Sequence, residues 1–229
     1  MIPTKLRWLS AILTGLVAMT SLSTAAAQRR AVMPDRDDLA RRVRPLSPEL
    51  ASTISLPDTR IEQLKTPFFA AAVVYRITRL TRTHPIVFTV GSAGPDYAVL
   101  LAANPKGFFE LASKAGLHLA SGDDLVQYVT TFLLATRDFA ERFEILRAAA
   151  DISLIPQATD EQKAKYKTLM EKYSDVIHPP APEAAGSEVK AFAIAGQNLV
   201  EIHARVLHNG VIERSDEALE RDLPIAVAQ

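Results

Sequence analysis

The sequence contains no cysteine. That single absence removes thiol nucleophiles, disulfide exchange, iron–sulfur clusters and zinc–thiolate sites, and it leaves a lipobox without its acceptor. The five histidines, His84, His118, His178, His203 and His208, show no HxH, HxxxH or HExxH spacing, so no metal centre is expected. There is no P-loop ending in GK[ST] and no GxSxG elbow: Gly91-Ser92-Ala93-Gly94 runs into Pro95-Asp96 and reads as a turn. Net charge is also lacking, with 26 Lys/Arg against 26 Asp/Glu. Without an overall basic balance, or a basic stripe interleaved with aromatics, nucleic-acid binding is not expected. No cofactor is implied.

What is present begins with a leader. Lys5 and Arg7 give a positive start, Leu9 to Leu22 is uncharged and mostly apolar, and Ala25-Ala26-Ala27 supplies the small residues a signal peptidase needs. Residues 1–27 therefore read as a Sec-type secretory signal peptide, with the mature chain beginning at Gln28. No twin arginine precedes the apolar run. Diluted by Ser10, Thr14, Thr20 and Ser21, that run is short of the ~20 strongly apolar residues of a stable span, so an uncleaved anchor is the lesser alternative. The expected location is the periplasm or the extracellular space, with no stable membrane span after signal removal. At this size, a cysteine-free exported chain is held by packing and needs no cross-links.

The balanced charge is unevenly spread. Residues 28–82 carry eleven Lys/Arg and six Asp/Glu, whereas residues 83–229 carry thirteen and twenty. Residues 28–66, interrupted by Pro34, Pro45, Pro48 and Pro57, read as a basic, flexible arm. Such an arm could tether the domain to an anionic envelope surface; no other partner is indicated. Residues 67–229 then form one domain.

Its elements follow from punctuation and period. Over 68–82 the pattern is ambiguous between helix and strand, and the β-branched content favours a strand. Ile86–Val90 and Tyr97–Ala103 suggest a hairpin. Asn104-Pro105 opens a helix that Gly116 closes, Ser121 caps a second, and the Thr159/Gln162 capping box opens a third with an apolar stripe from Tyr166 to Ile177. Arg142–Ile155 reads as extended. The Pro/Ala-rich stretch 179–187 reads as a loop. Val189–Ala195 and Leu199–Leu207 read as strands, Asn209-Gly210 as a tight turn into Val211-Ile212, and Ser215–Arg221 as a short capped helical turn. The class is α+β, an antiparallel, curved sheet with helices packed on one face. This order resembles cystatin-like and NTF2-like folds, an analogy of architecture that carries no function.

The candidate chemistry is sparse, and no catalytic residue is named. Asp123-Asp124 is explained by the helix N-terminus it occupies. Arg137, Asp138, Glu141, Arg142, Glu144 and Arg147 alternate in sign as a solvated face does. Two groups remain as ligand-binding candidates. Arg76 and Arg79, with Arg82, share a face if helical and split between two if extended; they could hold an anion, or simply protect a strand edge. Glu201 and His203 share the polar side of one strand, about 7 Å apart at a period of two. The function expected is a non-catalytic exported binding or interaction domain of the envelope. The alternatives are a periplasmic hydrolase with a pocket between helices and sheet, or a small-ligand carrier using the same space.

Overall fold

The Thr159 hydroxyl accepts from the Gln162 amide at 3.2 Å, and the Gln162 side chain accepts from the Thr159 amide at 2.8 Å, the reciprocal cap announced by the sequence. The computed structural model describes residues 35–184 and 186–225; the leader at 1–27 lies outside the described residues. The elements run α1 (Arg36–Val43), α2 (Pro48–Ser55), β1 (Arg60–Gln63), β2 (Ala72–Arg79), β3 (Ile86–Ala93), β4 (Tyr97–Leu100), α3 (Pro105–Ala115), α4 (Gly122–Ala135), β5 (Phe143–Leu146), α5 (Asp160–Tyr173), β6 (Ala181–Pro182), β7 (Glu188–Ala195), β8 (Asn198–Val206) and β9 (Ile212–Glu220). The class is α+β with antiparallel strands, as the punctuation implied. Among the described residues, no helix is long and apolar enough to cross a membrane.

The strands form two sheets rather than one. The first has the order β1-β2-β3-β4; the second has the order β5-β7-β8-β9, with β6 also paired to β7. Alternation along β2 gives the first sheet two covered faces. Tyr75 and Ile77 turn toward α1 and α2, packing with Leu39, Val43, Ala51 and Ile54. Ala72 and Val74 turn the other way, onto α3 and α4. Gly91 of β3 is on that second face, where a Cβ would stand 2.4 Å from Leu111 Cδ2; glycine is what lets α3 lie so close.

Residues 28–66 were expected as a flexible arm, and from Arg36 onward the structure corrects this. Leu39, Val43, Ala51 and Ile54 are buried. The arginines that made the segment look like a solvated tail fasten it instead. Arg36 donates to the carbonyls of Ile54, Leu56 and Thr59 at 2.6, 2.6 and 2.8 Å. Arg42 reaches Ser92 Oγ at 2.8 Å and the Gly94 carbonyl at 2.9 Å. Pro48, read as an interruption, is the first residue of α2 behind its Ser47 cap, where a missing N–H costs nothing.

The second sheet also has two faces. Val189, Ala191 and Ala193 of β7, with Val200, Ile202, Ala204 and Val206 of β8, join the cluster around α3 and α4. Phe192, Ile194 and Leu199 face α5, against Leu169, Tyr173 and Ile177. Helices therefore cover both faces of this sheet, α5 taking the side opposite α4. The Arg214 guanidinium of β9 lies 5.4 Å from the ring centre of Phe143 on β5.

Two local readings change. Ser215–Arg221 is not a helical turn: Ser215 to Glu220 continue β9, paired with β8 through a bulge at Leu219. The helix-forming composition of Asp216–Glu220 yields because cross-strand pairing decides strand identity more than intrinsic preference does. Within 179–187, Ala181 and Pro182 pair with Lys190 and Val189 as a two-residue edge strand, a position that tolerates proline's missing N–H.

Between the sheets lies an aromatic cluster. Phe68 meets Tyr128 edge to face at 5.2 Å, Phe108 meets Phe132 at 5.4 Å, and Phe69 stands 6.0 Å from Phe108. Such pairs add to simple burial.

Candidate functional site

Glu201 and His203 do come together, on the polar part of the sheet face that α5 leaves uncovered. Period two turns both outward on β8, and the hairpin register sets Lys190 of β7 directly across from His203. The Lys190 ammonium lies 2.6 Å from Glu201 Oε1, and His203 Nε2 lies 2.9 Å from the same oxygen. In a neutral ring with its proton on Nε2, His203 donates to that carboxylate. Its Nδ1 faces Glu183 Oε1 at 3.7 Å, beyond hydrogen-bond range. The Glu201 side chain is only 13% exposed, so its charge is compensated locally instead of being solvated.

Lys190 and Glu183 were not singled out from the sequence. The signal for Lys190 was available: the turn at Gly196-Gln197 fixes which β7 residue opposes His203. Glu183 reaches the group only through the short β6 pairing, which nothing local announces. Chemically the group is an ion-paired patch. Glu201 Oε1 already accepts from two donors, and although Glu183 and Glu201 flank His203, no group of His, Asp or Glu among the described residues is arranged to hold a metal ion.

Arg76 and Arg79 do not form a joint anion site. Three positions apart on β2, they project from opposite faces of the sheet. Arg79 points to the α1–α2 side and pairs with Asp58 at 3.2 Å. Arg76 is exposed on the other face, past the end of the helices. There it lines an open cleft of about 480 Å³ with Pro85, Val87, Arg137, Phe139, Arg142 and Phe143, among others.

Arg137, expected on a solvated face, is half-buried in this cleft. Its Nη1 donates to the Phe143 carbonyl, and its guanidinium lies 4.5 Å from the centre of the Phe139 ring. Its Nε is buried with no hydrogen-bond partner among the described residues. Burial, and then the nearby charge of Arg76, push its pKa below the usual arginine range. Arg142 pairs with Glu144 at 2.9 Å. The sequence did not bring Arg76 and Arg137 together, because sixty residues and two helices separate them.

The other polar features are structural. Asp124 accepts from the Ala120 amide at 3.1 Å and from the Ser121 hydroxyl at 2.9 Å, closing the cap of α4. Ser92 is buried, and its hydroxyl donates to the Tyr97 carbonyl at 3.1 Å. A wider open cleft of about 760 Å³ lies beside the start of α4, lined by Leu117, Leu119, Ser121, Arg205 and His208 among others.

Comparison of the chain with family models, with curated proteins and with solved structures finds no match.

Proposed function

We propose that the chain is an exported, non-catalytic binding or interaction domain of the cell envelope, acting through its surface. The observation that supports this is the location of packed and open space. Both the hydrolase and the carrier readings place function between the helices and a sheet. That space is occupied by Phe68, Phe69, Phe108, Tyr128 and Phe132, all buried in one cluster. Volume suited to a ligand lies instead in open surface clefts, one of them holding Arg76 and Arg137. Export rests on the leader at 1–27.

The envelope surface is no longer assigned to a free arm at 28–66, because Arg36 and Arg42 are engaged within the fold. The ion-paired patch at Lys190, Glu201 and His203 and the Arg76 cleft are the better candidates for contact.

The test uses the full chain, expressed with its own leader. Photo-cross-linking from position 205, beside the patch and one cleft, should retain one discrete envelope component, and cross-linking from position 52 on α2 should not. Turnover of chromogenic ester, phosphoester, glycoside or peptide substrates, lost on Glu201→Gln or Arg76→Gln, would overturn the non-catalytic reading.

A further inference from the structure

We infer that the cleft between β2, β3 and the segment that follows α4 binds an oxyanion, a phosphate or carboxylate, carried on a small apolar body, with Arg76 and Arg137 as its two anchors. This names a ligand class for the binding reading above and rests on it. Three observations carry it. Arg76 and Arg137 line one cleft, and among the described residues neither has a carboxylate partner, although Asp58, Glu144 and Asp216 each pair with another arginine. Two neighbouring guanidiniums left without an acid repel one another, and an anion between them relieves that repulsion.

The second observation is the state of Arg137. It is half-buried and fixed: Nη1 is tied to the Phe143 carbonyl, the plane is held near Phe139, and Nε is buried without a protein partner. A guanidinium fixed in this way is pre-organised for the forked geometry of carboxylates and phosphates. Arg76 by contrast is exposed, and it lines the same cleft.

The third is the rest of the lining. Pro85, Val87, Phe139 and Phe143 give apolar walls, and about 480 Å³ matches a small organic ligand rather than a bare ion. Glu144 is neutralised by Arg142, and Glu141, exposed, is the remaining acid of the cleft. The cleft therefore keeps a net positive charge.

The oxyanion could be presented by a free small molecule or by an anionic lipid headgroup, and the experiment separates these. The full chain is titrated calorimetrically with phenyl phosphate and with inorganic phosphate, and floated with vesicles containing phosphatidylglycerol. Phenyl phosphate should bind more tightly than inorganic phosphate. Arg76→Gln, at an exposed position that leaves the fold intact by circular dichroism, should weaken it at least tenfold. Arg137→Lys, which keeps the charge and loses the fork, should weaken it similarly. Arg79→Gln, on the opposite face, should leave it unchanged. Flotation that depends on Arg76 assigns the lipid source; phenyl phosphate binding without flotation assigns the free molecule. Absence of both, or equal binding by Arg76→Gln and wild type, overturns the inference. Release of phenol during the titration would instead overturn the non-catalytic reading while leaving the site in place.

Discussion

The Tyr128 hydroxyl on α4 donates to the Gly210 carbonyl at 2.5 Å, across 82 residues of sequence. Tyr128 is fully buried, and burial pushes its phenol pKa far above the usual range, so it stays protonated and donates there. Gly210 has φ of +80°, and a Cβ on it would stand 2.7 Å from Leu117 Cδ2. The turn between β8 and β9 is therefore tied to α4 by a buried hydrogen bond. Tyr128→Phe should cost about 1–2 kcal/mol, the usual result of stranding a buried carbonyl. Gly210→Ala should cost at least as much, from left-handed backbone strain of about 1–2 kcal/mol plus the clash. Urea unfolding of both variants checks this, and a neutral Gly210→Ala would contradict the geometry.

Arg36 is the clamp that makes an N-terminal segment into part of the fold. Its two amino groups serve three carbonyls at the end of α2 and the start of β1. Arg36→Gln should lose about 2–3 kcal/mol, since hydrogen bonds involving a charged group are worth about 1.5–3 kcal/mol and some are replaced by water. Amide exchange should accelerate across α1 and α2 before it does in β7 and β8. Uniform acceleration, or none, would show that the clamp is dispensable.

Gly91 and Leu111 set the approach of α3 to the first sheet. Gly91→Ala puts a methyl where Leu111 Cδ2 already sits, and Leu111 is fully buried with little room to yield. The expected cost is about 1–3 kcal/mol, as for other overpacked cores. Leu111→Ala in the same chain removes the clash, so the double variant should be more stable than the two single costs added together. Simple additivity in the double-mutant cycle would contradict the contact.

Acid sensitivity should be visible at α1. Asp38 is held below the usual carboxylate range by hydrogen bonds from Arg42 and then Arg41. A carboxyl with a lowered folded pKa stabilises above its unfolded value, near 4, and that stability is lost as pH falls through the folded value. Asp38→Asn should therefore be destabilised relative to wild type at pH 7, with the gap narrowing below about pH 4. Thermal midpoints at pH 7 and pH 2.5 decide it; a gap that is equal at both would assign the effect to packing.

Local signals carried much of the fold. Asn104-Pro105 with Gly116, Ser121, the Thr159/Gln162 box and the alternation of β8 each predict an element that the structure contains, because caps and period act over a few residues. What escaped was set by distance. The last residues of β9 have helix-forming chemistry and become strand only because β8 lies beside them. Arg36 looks like a solvated charge until the end of α2 is placed against it. Glu201 and His203 were visible as a pair at period two, but Lys190 needed the hairpin register and Glu183 needed β6. That Arg76 and Arg79 split between two faces follows from period two once the segment is a strand, but only the packing of α3 and α4 brings Arg137 near Arg76.

A role in the envelope depends first on export. The most direct measurement is the intact mass of the protein recovered after expression of the full chain with its own leader, in the osmotic-shock and cytoplasmic fractions compared side by side. The expected result is a chain beginning at Gln28 in the shock fraction. A chain retained in the cytoplasm and still beginning at Met1 would contradict it.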